Sequence, residues 1–227
     1  MKKLFFICLS FLLASSLSAG NFPFGSSVAQ VVKLVKDVSV KKSSEAKIEN
    51  AKIGTVISDG GQVITKSKSL ALIKLTKDNS LLTVRENSIL NIYERKDAKG
   101  INTITNIEKG TLNFKVQKQE VGDGFQFITP SAVASIRGTS GTIDSDTSET
   151  EILLEEGEMF VEYKNDPSKN ATLDGGKKLT IDSEGNIKIE NLNEEDQKKL
   201  NDSKKTNTRK IKIITPFGEL EFEYLTD

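Results

Sequence analysis

The sequence predicts an all-β fold, either solenoid-like or built of double-layered β-sheets, followed by a short charged helix with linker and a C-terminal β-hairpin. Three observations predict it. From Ser26 to Ile189 the apolar residues come in short alternating runs. β-Branched residues are frequent in those runs, and turn residues interrupt them roughly every 8–12 residues. No stretch of this region sustains the apolar period of a helix.

The elements follow in order. Met1 to Lys3 form a positive n-region, Leu4 to Leu13 an apolar h-region, and "ASSLSAG" a run of small residues. This pattern predicts a signal peptide over residues 1–20, cleaved near residues 18–20, and the h-region is too short to span a bilayer as a helix. Cys8, the single cysteine, lies inside it, so the mature chain is expected to have neither disulfide nor thiolate metal site. No transmembrane segment is expected in the mature chain.

Residues 26–190 carry the strand signals. "QVVKLVKDVSV", "GTVISDGGQVITKS", "LALIKL", "LLTV" and "ILNIYE" lead into "GINTITNIEKGTLNFKVQ", "FQFITP" and "TEILLEEGEMFVEY". In Asn113-Phe114-Lys115-Val116 and in Phe125-Gln126-Phe127, one side chain is expected inward and the next in solvent. Gly54, Gly61, Gly110, Gly157 and Gly176 fall at ends of runs, where turns are expected. "IEKGTLNF" and "LEEGEMFV" share one grammar: an acidic residue, a glycine, then a strand.

Beyond Glu190 the composition turns highly charged. Residues 191–208 read as a short helix and linker, with Asn193 as N-cap, Glu194 and Glu195 in the first turn, Lys198 and Lys199 in the last, and linker from Ser203 to Thr208. Residues 209–227 read as a hairpin around Pro216-Phe217. That loop sets Lys212 against Glu221 and Lys210 against Glu223 on one face, with Ile213 against Leu220 and Ile211 against Phe222 on the other. An isolated hairpin is marginal in water, so it is expected to dock, first of all on its own chain.

Composition narrows function. Histidine is absent, which excludes Ser-His-Asp chemistry and His-ligated metals. The chain balances 32 basic against 32 acidic residues and lacks tryptophan, so nothing favours nucleic acid. Asp144 with Asp146, or Glu155 with Glu156, are the candidate carboxylate pairs for a hydrolase, but they read as solvated turn and strand-end charges. Calcium sites in Asp144 to Glu149 or Asp182 to Asn186 do not fit an EF-hand loop. No catalytic, cofactor-binding or metal-binding residue is assigned.

The stretch "TPSAVASIRGTSGTI", Thr129 to Ile143, stands apart. Pro130 cannot donate to a ladder and should mark a strand start or an edge. Ala132, Ala134 and Ile136 share one face; Val133, Ser135 and Arg137 share the other. Gly138 allows a tight bend, and Arg137 is expected to tie down loop carbonyls or a carboxylate. An anion nest at Thr139, Ser140 and Gly141 is the alternative.

These residues resemble the Thr-Pro…Val…Arg-Gly-Thr signature of the FecR domain family. Upstream, "IGTVISDGGQVITKSKSLALIKLTKDNSLLTVRENSILNI" is similar to that family's pattern, and "ILLEEGEMFVEY" and "LDGGKKLTI" continue it. The resemblance covers roughly Ser26 to Glu190 and marks Thr129, Pro130, Val133, Arg137, Gly138 and Thr139 as motif residues, structural or in contact with a partner. It implies a non-catalytic domain on the exported side of a bacterial inner membrane. In the regulators that name the family, this domain follows a cytoplasmic anti-sigma segment and one transmembrane helix. Here it follows the expected leader. A periplasmic, secreted or cell-surface binding module for an envelope protein or polymer is therefore expected, with signal transduction through a separate membrane regulator as the alternative.

Overall fold

A computed structural model describes residues 27–205, 208–215 and 218–225; the expected leader with Cys8 and the Pro216-Phe217 loop lie outside them. The strands in chain order are β1 (Ser27–Val35), β2 (Val38–Lys41), β3 (Ile48–Asn50), β4 (Val56–Ser58), β5 (Gly61–Thr65) and β6 (Leu70–Leu75). They continue as β7 (Leu81–Val84), β8 (Ile89–Lys96), β9 (Ile101–Lys115), β10 (Gly124–Ile128), β11 (Ala132–Ile136) and β12 (Ser140–Ser145). Next come β13 (Glu149–Glu156), β14 (Glu158–Tyr163), β15 (Asp166–Asp174), β16 (Lys177–Asp182) and β17 (Ile187–Asn191). Helix α1 (Glu194–Lys204) and the hairpin strands β18 (Thr208–Thr215) and β19 (Gly218–Leu225) complete the order.

The ladders form two layers. Sheet A runs β4-β1-β6-β7-β9-β12-β13-β16-β17. Sheet B runs β3-β2-β5-β8-β9-β10-β11-β14-β15. Strand β9 belongs to both: its first half pairs with β8 and β10, its second with β7 and β12. Only β9 with β10 is a parallel ladder among the described residues. A solenoid repeats one coil along an axis, each unit on its neighbour. Here antiparallel hairpins step between two layers, so the double-layered alternative is the architecture and the solenoid expectation is corrected.

Alternation explains the layers. Phe114 of sheet A and Phe125 and Phe127 of sheet B are fully buried between them. The rings of Phe114 and Phe127 lie 4.7 Å apart, and those of Phe125 and Phe127 lie 5.1 Å apart, in tilted contact. Asn113 departs from the expectation. Its side chain points away from the core but is buried beneath α1.

The chain crosses between sheets at glycines. Gly54, Gly110, Gly138, Gly157 and Gly176 all sit at such crossings, with φ between +82° and +99°. Gly110 lies within β9 rather than at its end. There the left-handed turn redirects one strand from sheet B to sheet A, and a Cβ would come within 2.6 Å of the Ser88 Cα. The shared grammar of "IEKGTLNF" and "LEEGEMFV" thus marks two corners of the same kind.

Asn193 caps α1 in a capping box: its side chain accepts from the Asp196 N–H, and its own N–H donates to Asp196. The helix runs to Lys204, so Ser203 is helical rather than linker and Lys204, not Lys198 or Lys199, is the basic residue of the last turn. Leu200 is its one buried apolar side chain, contributing about 2 kcal/mol by its burial. No helix among the described residues is long and apolar enough to cross a membrane. The hairpin β18–β19 is a separate two-stranded sheet with Lys212 opposite Glu221, Lys210 opposite Glu223, Ile213 opposite Leu220 and Ile211 opposite Phe222, the register its charges and apolar residues predict. The Lys212 ammonium pairs diagonally with Glu219 at 2.7 Å.

Candidate functional site at the β11–β12 corner

The motif residues flank strand β11: Thr129 and Pro130 in the turn before it, Arg137, Gly138 and Thr139 at the corner after it. Thr129 is buried in the turn between β10 and β11, where its Oγ1 accepts from the Ala132 N–H at 2.8 Å. Pro130 sits in that turn, where no ladder donor is required. Along β11, Ala132, Ala134 and Ile136 are buried, Val133 and Ser135 are half-buried, and Arg137 is exposed. Small residues at the inward positions leave room for the large rings of β10 beside them.

Arg137 corrects the expectation drawn for it. It makes no hydrogen bond or ion pair with any described residue. The strand explains this: Arg137 is in phase with Val133 and Ser135, so it leaves the outer face of sheet B. The Thr139 carbonyl of the same corner is already engaged by the Val116 N–H at 2.9 Å. Glu158, which follows next along the β11–β14 ladder, forms no ion pair with it.

The corner beneath it is closely packed. Gly138 has φ +90°, and a Cβ there would lie 2.9 Å from the Lys118 Cα. Thr139 is buried, with its hydroxyl unpartnered. The anion nest is not formed: Ser140 and Gly141 begin β12, which pairs with β9 on one side and β13 on the other.

Sequence reasoning missed a buried hydroxyl cluster at the opposite end of β11. Thr150 receives Thr129, Ser131 and Ser145 around one Oγ1, at 2.8, 2.8 and 2.9 Å. All four residues are buried, and the cluster ties the sheet B turn to β12 and β13 of sheet A. A signal was present. Thr150 is in phase with Ile152 and Leu154, and Ser145 with Ile143, so both hydroxyls stand at inward positions.

The carboxylates considered for catalysis or calcium serve turns and ion pairs instead. The Ser148 hydroxyl and N–H, with the Glu149 N–H, hold the Asp146 carboxyl below the usual aspartate range. Asn186 does the same for Asp182 through its side chain and N–H, assisted by Glu184. Glu155 pairs with Lys204, and Asp144 and Glu156 are exposed. Among the described residues no three carboxylates gather as a metal site.

Residues 61–160, from β5 into β14, match the family model described as FecR protein. This segment is a FecR domain. It contains the whole motif, from Thr129 to Thr139. The fold of the chain is similar to two crystal structures of a presumed anti-sigma factor from Parabacteroides distasonis ATCC 8503. One aligns with TM-score 0.50 at 13% identity, over 58% of this chain and 60% of that one. The other aligns with TM-score 0.51 at 12% identity, over 69% and 68%. The chain thus spans 60% of the length of the first, and at these identities the likeness is one of fold. No curated protein matches the sequence significantly.

Proposed function

We propose that this FecR-domain chain is an exported, non-catalytic module that binds a protein partner in the bacterial cell envelope, periplasmic or cell-surface. One observation carries the reading. Inside the FecR segment, a closely packed glycine corner presents Arg137 outward, and the guanidinium has no partner among the described residues. A tightly built turn that holds an unengaged cation on an exposed face suits recognition of a carboxylate across an interface. The open sheets also end in exposed edge strands, β15 and β17, which offer backbone pairing to a partner.

A second reading is signal transduction through a separate membrane regulator. The likeness in fold to a presumed anti-sigma factor favours it. It predicts altered transcription on deletion of the gene.

The test is in-cell crosslinking of the mature protein followed by mass spectrometry, comparing wild type with Arg137→Glu. We expect the charge reversal to remove a crosslinked protein while leaving stability within about 0.5 kcal/mol, as for a surface position. An identical set of crosslinked proteins in the variant would reject the Arg137 site. Recovery of envelope polymer without any protein would reject protein binding.

A further inference from the structure

We propose that α1 is a releasable clasp, closed over the outer face of sheet A by mainly polar contacts that water can replace.

Apart from Leu200, and Leu153 beneath it, the contact is polar. Asp196, Leu200 and Ser203 are the buried residues of the helix. Beneath them the sheet offers amide and hydroxyl groups. The Asn113 side chain donates to the Gly141 carbonyl at 3.0 Å, to Thr142 at 3.2 Å and to Ser203 at 3.1 Å. The Thr142 and Ser203 hydroxyls lie 2.8 Å apart. Around this plug stand ion pairs: Lys178 with Asp196 and Lys199 with Glu151, each at 3.1 Å, and Lys204 with Glu155. Arg85 closes the far end, donating to the Lys205 carbonyl at 2.8 Å.

Two further features mark the seam as separable. The helix leaves a cavity of about 260 Å³ against the sheet, lined by Arg85, Thr111, Thr142, Leu153, Lys199 and Ser203 among others. A half-open cavity of this size, with charged and hydroxyl groups among its lining, admits water. The core also lies elsewhere: Ile143, Ile152 and Leu154 of β12 and β13 are buried between the two sheets. Opening the clasp therefore uncovers little apolar surface beyond Leu200 and Leu153, and leaves both layers closed.

Hydrogen exchange on the mature full-length chain tests this. We expect the amides of Gln197 to Lys204 to exchange at least about 100-fold faster than those of β12 and β13, the mark of local opening. Raising NaCl from about 20 mM to about 0.5 M should accelerate them further by screening the ion pairs. A Thr142→Cys, Ser203→Cys disulfide should slow that exchange, and reduction should restore it. Should the disulfide not form, Lys199→Gln with Lys204→Gln serves instead, bringing the low-salt rate to the high-salt one. Helix amides protected as well as β12 at both salt concentrations, or unmoved by the lock or the double substitution, would overturn the clasp. Partner binding does not enter this measurement, so its outcome is independent of the Arg137 test.

Discussion

At the scale of single residues, the most consequential contacts join side chains remote in sequence. Thr150 is the centre of a buried group of four hydroxyls. Removing the central oxygen takes one buried partner from each of the other three; Thr129 keeps its bonds to Ala132 and Ser131 its bond to the Ile181 carbonyl, while Ser145 loses its partner in the cluster. Thr150→Val keeps the shape and removes the central oxygen. We expect about 2–3 kcal/mol of destabilisation by urea denaturation, against well under half that for Ser148→Ala on the exposed turn nearby. Equal effects would reject the cluster as a structural centre. Arg137 is the converse case: its strand phase was readable, but the lack of a partner was not, because that depends on which carboxylates the neighbouring strand presents.

At the scale of elements, α1 depends on Asp196. Burial raises the carboxyl's pKa, but the Asn193 N–H and the Lys178 ammonium, assisted by Lys199, more than offset it, and the net shift is below the ordinary aspartate value. The sign follows. A lowered folded value means the contribution is fully present above the unfolded value, near 4, and is lost as pH falls through the lower folded one. We expect the helix to detach on acidification below about pH 4, seen as a titration of the Gln197 to Lys204 amide resonances. Asp196→Asn should weaken docking at neutral pH and remove that inflection. The helix start was legible because a capping box is a local pattern; its docking was not, because Asn113 and Thr142 lie far away in sequence.

At the scale of the whole molecule, β9 couples the layers. One strand pairs in sheet B before Gly110 and in sheet A after it, and Phe114 from its second half stacks on Phe127 of the other sheet. The two sheets should therefore unfold as one unit. Phe114→Ala is expected to cost about 3–5 kcal/mol, lowering the melting temperature of both layers together in a single calorimetric transition. Two separated transitions would show that β9 does not bind the layers into one cooperative body.

By itself the sequence determined most of the strands, though not β3, β12 or the first half of β15, together with most of the corners and the hairpin register. Each is local: alternation records which face of a strand is dry, a glycine records a left-handed turn, and facing charges record a register. It also carried the resemblance of the segment around Thr129 to Thr139 to the FecR family, whose model matches residues 61–160. Only the tertiary structure decided between coil and double layer, buried Asn113 beneath Ser203, gathered four hydroxyls on Thr150 and left Arg137 without a partner. The physical reason is that period-two alternation names the buried face but not the neighbouring strand. Neighbours are chosen by long-range pairing, and here that pairing steps back and forth between two sheets.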